Sequence, residues 1–324
     1  MRGEIFEQGF EPQFSGHETF PLRYSWLKKA FDAVHARETD RDNRTIFSGD
    51  DAISNFGVGK NMVTSMRYWS VAARVIEDTS DSNKGPYGIT SLGRYLFGEE
   101  GLDPYIENPA TLWLIHWQLA ANPKPTTTVH FVFNHFHTAS FYRQQLIDSI
   151  QRYCDSIKYS TRISSHTLKR DVECFLCTYA TKAVSGEEDS LDSLLSELAL
   201  IRVIGKQDGF ALDRGHKPSL PDAIFLYGLI SFALSRRGNR VFSLESLLHE
   251  PGSPGRIFLL DEEALLERLG AIEHASGEKI SWSETAGLRQ IIFHDDPGQF
   301  DLMKVAATAY KHRGRSATHR LGGQ

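Results

Sequence analysis

Cysteine is scarce, with three residues in a chain of 324. A small odd number argues against a disulfide framework and fits a reducing compartment, so a cytoplasmic location is expected. No apolar run approaches the roughly 18 residues needed to cross a bilayer. The opening Met1-Arg-Gly-Glu-Ile-Phe-Glu lacks the basic-then-apolar pattern of a secretory signal, and no membrane partner is expected. A basic excess is also missing: 36 Lys and Arg stand against 41 Asp and Glu, a net charge of −5. That argues against holding nucleic acid by bulk electrostatics and leaves local basic faces as the route to it. The chain has no Gly-x-x-x-x-Gly-Lys-Ser/Thr loop, so no nucleotide cofactor is expected.

What is present suffices for cores. Hydrophobic residues make up 40% and aromatic residues 11%, as in globular rather than disordered chains. Residues 21–34 carry Leu22, Trp26, Leu27, Ala30, Phe31 and Val34 at helical spacing, with Arg23, Lys28 and Lys29 outside. Residues 50–55 can form a short helix, Gly57-Val-Gly59 a turn, and residues 60–76 a longer helix. A polar, turn-rich stretch ending in Lys84-Gly85-Pro86-Tyr87-Gly88 follows, then Ile89 and another short helix. Helix, turn, helix, hairpin is the order of a winged helix.

A second segment resembles the first. Arg74-Val-Ile-Glu77, Ile89 and Thr90-Ser-Leu-Gly93 run parallel to Gly270-Ala-Ile-Glu273, Ile280 and Glu284-Thr-Ala-Gly287. This predicts a hairpin over residues 272–282 turning at Ser276-Gly277, and two winged-helix units, with residues 198–212 belonging to a third. The copies differ in charge. The first presents Lys60, Asn61, Thr64, Arg67, Arg74 and Lys84, side-chain types that bind phosphates and read base edges. The second presents Asp261, Glu262, Glu263 and Glu267, which repel DNA and suit partner contact. Between them, residues 109–121 are expected as a hydrophobic helix, residues 126–133 as a strand, and residues 140–153 and 165–179 as helices; residues 182–190 are the best linker.

The combination of His17-Glu-Thr-Phe-Pro-Leu-Arg23, Gly57-Val-Gly-Lys-Asn-Met-Val63, Arg67-Tyr-Trp69, Thr167-Leu-Lys-Arg-Asp-Val172, Pro251-Gly-Ser-Pro-Gly-Arg256 and Thr285-Ala-Gly-Leu-Arg289 resembles a bacterial family long described only as a domain of unknown function. Its members include the SspB-like component of single-strand DNA phosphorothioation systems. The resemblance implies an antiphage modification pathway and a DNA-nicking role. It also implies work beside a cysteine desulfurase, an ATP-using sulfur-transfer enzyme and an ATPase. It does not say which residues cut.

Nicking needs an activated nucleophile and usually a metal that neutralises phosphate charge, so Mg²⁺ or Mn²⁺ is the expected cofactor if the chain cuts. His17 and Glu18 beside Arg23, Lys28 and Lys29 are the candidate catalytic pair, weighed against a purely structural role. Lys169 and Arg170 join the candidate DNA-binding cations. His130, Asn134, His135 and His137 crowd into eight positions, too tight for a His-Asn-His nuclease, and are read as surface or core histidines. Cys174 and Cys177, with Cys154 and His166 at unusual spacing, are read as core thiols on an apolar helix face rather than as a zinc site. Residues 304–320 are expected as a basic tail, or as an accessory DNA arm. The expected fold is therefore α+β and mostly helical. Winged-helix modules occupy residues 1–104 and 185–300, a helical middle spans 105–184, and a tail covers 301–324.

If the thiols are core residues, purified protein carries no stoichiometric zinc, and Cys174→Ala lowers stability by on the order of 1 kcal/mol through lost packing. One tightly bound zinc per chain would contradict this.

Overall fold

The computed structural model describes residues 4–7, 9–40, 43–49, 51–79, 86–159, 163–181, 193–205, 209–285 and 287–313. The expected linker, Lys84 and the last eleven residues lie outside these ranges. The chain is α+β and mostly helical, as expected. Among the described residues no helix is long and apolar enough to cross a membrane.

The N-terminal third holds α1 (Tyr24–His35), α2 (Ala52–Phe56) and α3 (Lys60–Ala72). The hairpin β1 (Ile76–Asp78) and β2 (Tyr87–Ile89) and then α4 (Ser91–Phe97) follow. Helix α1 buries Trp26, Leu27, Ala30, Phe31 and Val34 along one stripe, the face that the apolar spacing marked. Gly57, at φ +65°, closes α2 in a left-handed cap that lets the chain reverse into α3. The hairpin pairs antiparallel, Ile76 with Ile89.

The middle third holds α5 (Pro109–Ala121), α6 (Thr127–Asn134), β3 (Ser140–Tyr142), α7 (Arg143–Ser156), α8 (Ser165–Tyr179) and β4 (Ala180–Thr181). Strands β5 (Ile201–Ile204) and β6 (Gly209–Leu212) complete a sheet ordered β3-β6-β5-β4, in which β4 lies parallel to β5. The C-terminal third runs α9 (Asp222–Ser235), β7 (Val241–Ser243), α10 (Leu244–His249), α11 (Pro254–Ile257), α12 (Glu262–Gly270) and α13 (Ile272–Ser276). It ends in β8 (Ile280–Thr285), β9 (Leu288–Phe293) and α14 (Leu302–Ala307), with a sheet ordered β7-β9-β8.

Helices α5 and α9 are apolar all round and form the centre of the core. Gly228 permits their contact: a methyl group there would lie 2.7 Å from Trp117 and 2.8 Å from Phe258. The buried polar side chains of these two helices are satisfied. The His116 ring bonds the Ile257 carbonyl at 2.8 Å and the Tyr179 hydroxyl at 3.0 Å, and Gln118 donates to the Tyr227 hydroxyl at 2.8 Å.

Several local expectations are corrected. Residues 126–133 form helix α6, not a strand. Every residue of α6 is buried, so packing on all sides overrides the β preference of its Thr, Val and Phe residues. Thr126 and Thr127 turn their hydroxyls back onto the Leu119 and Pro123 carbonyls instead of lining a pleat. Residues 272–282 are not a hairpin: Gly277, at φ +64°, caps helix α13, and the hairpin is β8 with β9. The proposed repeat therefore fails in detail, since Gly93 sits inside α4 while Gly287 occupies the β8–β9 turn. Finally, Cys174 is buried but Cys177 is exposed, so the two thiols do not share one apolar face. The segment read as a tail is helical from Leu302 to Arg313, and the Tyr310 hydroxyl lies 2.9 Å from Thr111 Oγ1.

The two glycines make a test. A methyl group on Gly93 would lie 2.0 Å from the Val75 carbonyl oxygen, whereas the space around Gly287 is open. Gly93→Ala should destabilise by about 1–3 kcal/mol through overpacking, and Gly287→Ala by less, through its positive φ alone. Equal melting temperatures for the two variants would contradict this packing.

Candidate nucleic-acid interface

The segment from Phe14 to Phe20 joins α3 to α8. Its backbone turns through three left-handed residues, Gly16 at φ +112°, Glu18 at +46° and Thr19 at +66°. For Glu18 and Thr19 this is a strained conformation that the surroundings must enforce. A methyl group on Gly16 would lie 2.8 Å from the Tyr68 ring, so only glycine fits under α3 there.

His17 is the enforcing group. It is 4% exposed, and its Nε2 donates to Asp171 Oδ1 of α8 at 2.9 Å. Its Nδ1 accepts the Thr19 backbone N–H at 3.0 Å, which fixes the Nε2–H tautomer. The second Asp171 oxygen accepts from Thr128 of α6. The Phe20 carbonyl then accepts from Trp69 Nε1 of α3 at 2.9 Å, with Ser65 Oγ and Cys174 Sγ both at 3.4 Å. Both His17 nitrogens are engaged in hydrogen bonds, so in this arrangement the ring fixes the loop on α8.

Glu18 is different. Its side chain is half-buried and opens onto a cleft of about 140 Å³ lined by residues 14–19 together with Thr167 and Arg170 of α8. A carboxylate and a guanidinium thus share one small cleft. Among the described residues no group of three His, Cys, Asp or Glu is placed to hold a metal ion. The cleft offers one carboxylate, since Asp171 is already engaged by His17 and Thr128.

The sequence-derived cations fall into two groups. Lys60, Asn61 and Arg74 on or beside α3, and Lys169 and Arg170 on α8, are exposed. Thr64 is half-buried and bonds the Lys60 carbonyl at 3.2 Å. The remainder are engaged within the fold. Lys28 pairs with Asp32 at 2.5 Å, Lys29 Nζ bonds the Phe56 carbonyl at 3.1 Å, and Arg67 bonds the Tyr87 side chain. Arg23 lies 5.7 Å from the Trp26 ring, a cation–π contact. On α12, Glu262 is paired with Arg289 at 2.8 Å.

The histidine-rich segment is largely internal. The His130 ring and the Asn134 amide both donate to the Ala120 carbonyl, at 2.7 and 2.9 Å, and Asn134 Oδ1 accepts from Gly252 N–H at 2.6 Å. Sequence reasoning missed Asp171 as the partner of His17, because 154 positions separate them and no local pattern announces the contact.

Comparison with known proteins gives a consistent result. The model of a family described as "Protein of unknown function (DUF4007)" matches residues 14–310. Among curated proteins no relative matches. Two solved structures are similar: a magnesium ion-bound SspB and an SspB crystal structure, each at 29% identity and a TM-score of 0.80. Each covers 97% of this chain, and 92% and 93% of the respective SspB chains are matched.

The buried histidines dictate a pH dependence. Burial holds His116 and His130 down at about 4, and burial with nearby positive groups holds His135 at about 3. Their unfolded values lie near 6.5, so between these limits the unfolded chain binds more protons. The stability is present above about pH 6.5 and is lost as the pH falls towards 4. Melting temperature should decline steadily from pH 6.5 to 5, above the range in which ordinary carboxylates titrate. A flat profile there would contradict the buried neutral rings.

Proposed function

The chain belongs to the DUF4007 family, and we propose that it is the DNA-binding, DNA-nicking component of a single-strand DNA phosphorothioation system, built from winged-helix modules. The observation that carries this reading is the cleft at residues 14–19, which Glu18 and Arg170 both line beside two helices that carry exposed cations. The likeness to SspB over 97% of the chain supports it.

The order of elements supports the modular reading. Helix, strand, helix, helix and hairpin occur in this order as α6, β3, α7, α8, β5–β6, with β4 between α8 and β5, and as α9, β7, α10, α12, β8–β9, with the short helices α11 and α13 interposed. In both, the last strand of the hairpin lies in the middle of the sheet, between the first strand and its own hairpin mate. The N-terminal α1, α2, α3, β1–β2 follows the same order without the first strand. In a winged helix the helix before the hairpin enters the groove, which here makes α3, α8 and α12 the equivalent helices. Exposed basic residues sit on α3 and α8, while α12 begins with Glu262 and Glu263. The reading therefore gives DNA to the first two modules and a protein partner, such as the desulfurase, sulfur-transfer enzyme or ATPase of the system, to the third.

Within the cleft, Arg170 would hold a phosphate, and Glu18 would act as general base or as the one protein ligand of Mg²⁺ or Mn²⁺, the DNA phosphates completing the shell. His17 would position Glu18 by fixing the backbone on either side of it. The alternative, a scaffold that recruits sulfur-transfer enzymes without cutting, keeps the cations and gives Glu18 no role.

Two measurements separate these. Lys60→Ala with Lys169→Ala should weaken DNA binding and flatten its salt dependence by up to about 2 in log–log slope, one counterion per lost contact; unchanged affinity in the folded variant removes α3 and α8 as the contact. With Mg²⁺ or Mn²⁺, wild type should convert supercoiled plasmid to open circle, and Glu18→Gln should bind but not nick. A Glu18→Gln protein that nicks at the wild-type rate removes Glu18 from the chemistry, and a wild type that binds without nicking favours the scaffold.

A further inference from the structure

One motif remains unused, Pro251-Gly-Ser-Pro-Gly-Arg256. Arg256 is 3% exposed, which for a guanidinium demands compensation. Its Nη2 donates to the Phe136 carbonyl at 3.0 Å, and its Nη1 lies 3.4 Å from His137 Nδ1. Its Nε is buried without a partner, and among the described residues no carboxylate forms an ion pair with it.

The surrounding side chains add positive charge instead of removing it. Strands β3 and β6 pair antiparallel with Ser140 opposite Ala211 and Phe141 opposite Phe210, and the Leu212 N–H continues the ladder to the Ala139 carbonyl at 2.9 Å. That bond brings the start of β3 beside the end of β6, so His137 and Arg214, each two residues beyond it and both exposed, leave the sheet at the same end, where the Arg214 N–H turns back onto the Leu212 carbonyl at 3.1 Å. The nearest carboxylate in sequence, Asp213, is held by Arg202 at 2.7 Å and Lys217 at 3.3 Å. The exposed Glu245 lies 3.5 Å from His249, a further group whose charge bears on His137.

We infer that Arg256, Arg214 and His137 form a binding site for a phosphate-type oxyanion. Arg214 supplies an exposed fork of donors that suits two oxygens of one tetrahedral anion. Arg256 donates towards His137 Nδ1, so the remaining ring hydrogen sits on Nε2 of an exposed side chain, a second donor that needs no net charge. Arg256 itself acts from beneath as the buried positive charge that the anion neutralises. Consistent with this, burial and the charge of Arg214 pull Arg256 down to about 10, and His137 is lowered by burial and by Arg256 and Arg214, shifts that a bound anion would reverse. The site is separate from the Glu18 cleft and stands without any cutting activity. Its ligand is a free phosphate or a backbone phosphodiester, which share this chemistry.

The test uses inorganic phosphate and the full chain. Melting temperature is measured in phosphate and in chloride at equal ionic strength, for wild type and for Arg214→Ala with His137→Ala, both exposed positions that leave Arg256 in place. About 100 mM phosphate should raise the wild-type value by about 2–4 °C for a millimolar site, and the double variant should lose that rise. Phosphate also stabilises proteins generally by exclusion from their surfaces, so an equal rise in both proteins, or none in either, overturns the site. Anisotropy of a fluorescein-labelled oligonucleotide then identifies the source. A several-fold loss of affinity in the variant assigns the site to backbone phosphate, and unchanged affinity beside a lost phosphate effect assigns it to a free anion. Failure of the Lys60 and Lys169 experiment leaves the phosphate arm unaffected, so the two readings fail separately.

Discussion

The hydrogen bond from His17 to Asp171 is the constraint on which the candidate interface depends. It links residues that the chain separates by 154 positions, and it does so inside the fold, where water cannot replace either partner. A buried bond to a charged acceptor contributes on the order of 1.5–3 kcal/mol, and leaving the carboxylate unpartnered costs more. Through Asp171 the bond reaches Thr128 of α6, and through the Phe20 carbonyl the same loop reaches Trp69 of α3. Three helices are thus held in register by seven residues of irregular chain. The left-handed Glu18 and Thr19 are the cost of that geometry, and they turn Glu18 into the cleft.

The division of charge gives this framework a direction. A protein with a net charge of −5 must concentrate positive side chains locally to hold DNA. Exposed candidate cations for DNA stand on α3 and α8, the two helices that the loop joins, whereas α12 opens on acids. Buried positive charge collects elsewhere, at Arg256, where no acid answers it among the described residues. The acidic total therefore describes the molecule poorly, and the placement of side chains on individual helices describes it better.

Periodic and capping signals were legible from the residues alone. The apolar stripe of α1, the Gly57 turn and the continuous hydrophobicity of α5 follow from spacing and from glycine chemistry. The errors arose where tertiary burial outweighed local preference. Helix α6 carries strand-like residues but is enclosed on every side, and Gly277 reads as a hairpin turn until α13 is seen to end there. The site was half legible. His17, Glu18 and Arg170 were identifiable as chemistry-bearing residues, and the family resemblance drew attention to their segments. Their division of labour was not, because occupation of both His17 nitrogens depends on a backbone turn and on a distant carboxylate. Arg256 ends a recognisable motif and Arg214 belongs to none, but neither was legible as part of a site, since the approach of two strand ends and a missing counter-charge are both non-local facts.

The claim that residues 14–20 couple α3 to α8 is tested most directly by hydrogen–deuterium exchange on Asp171→Ala at neutral pH. The account predicts faster exchange in peptides covering residues 14–20 and 60–72 as well as α8, because the loop loses its anchor and the bonds from Phe20 to α3 loosen with it. Increased exchange confined to α8, with the loop and α3 as protected as in wild type, would contradict it.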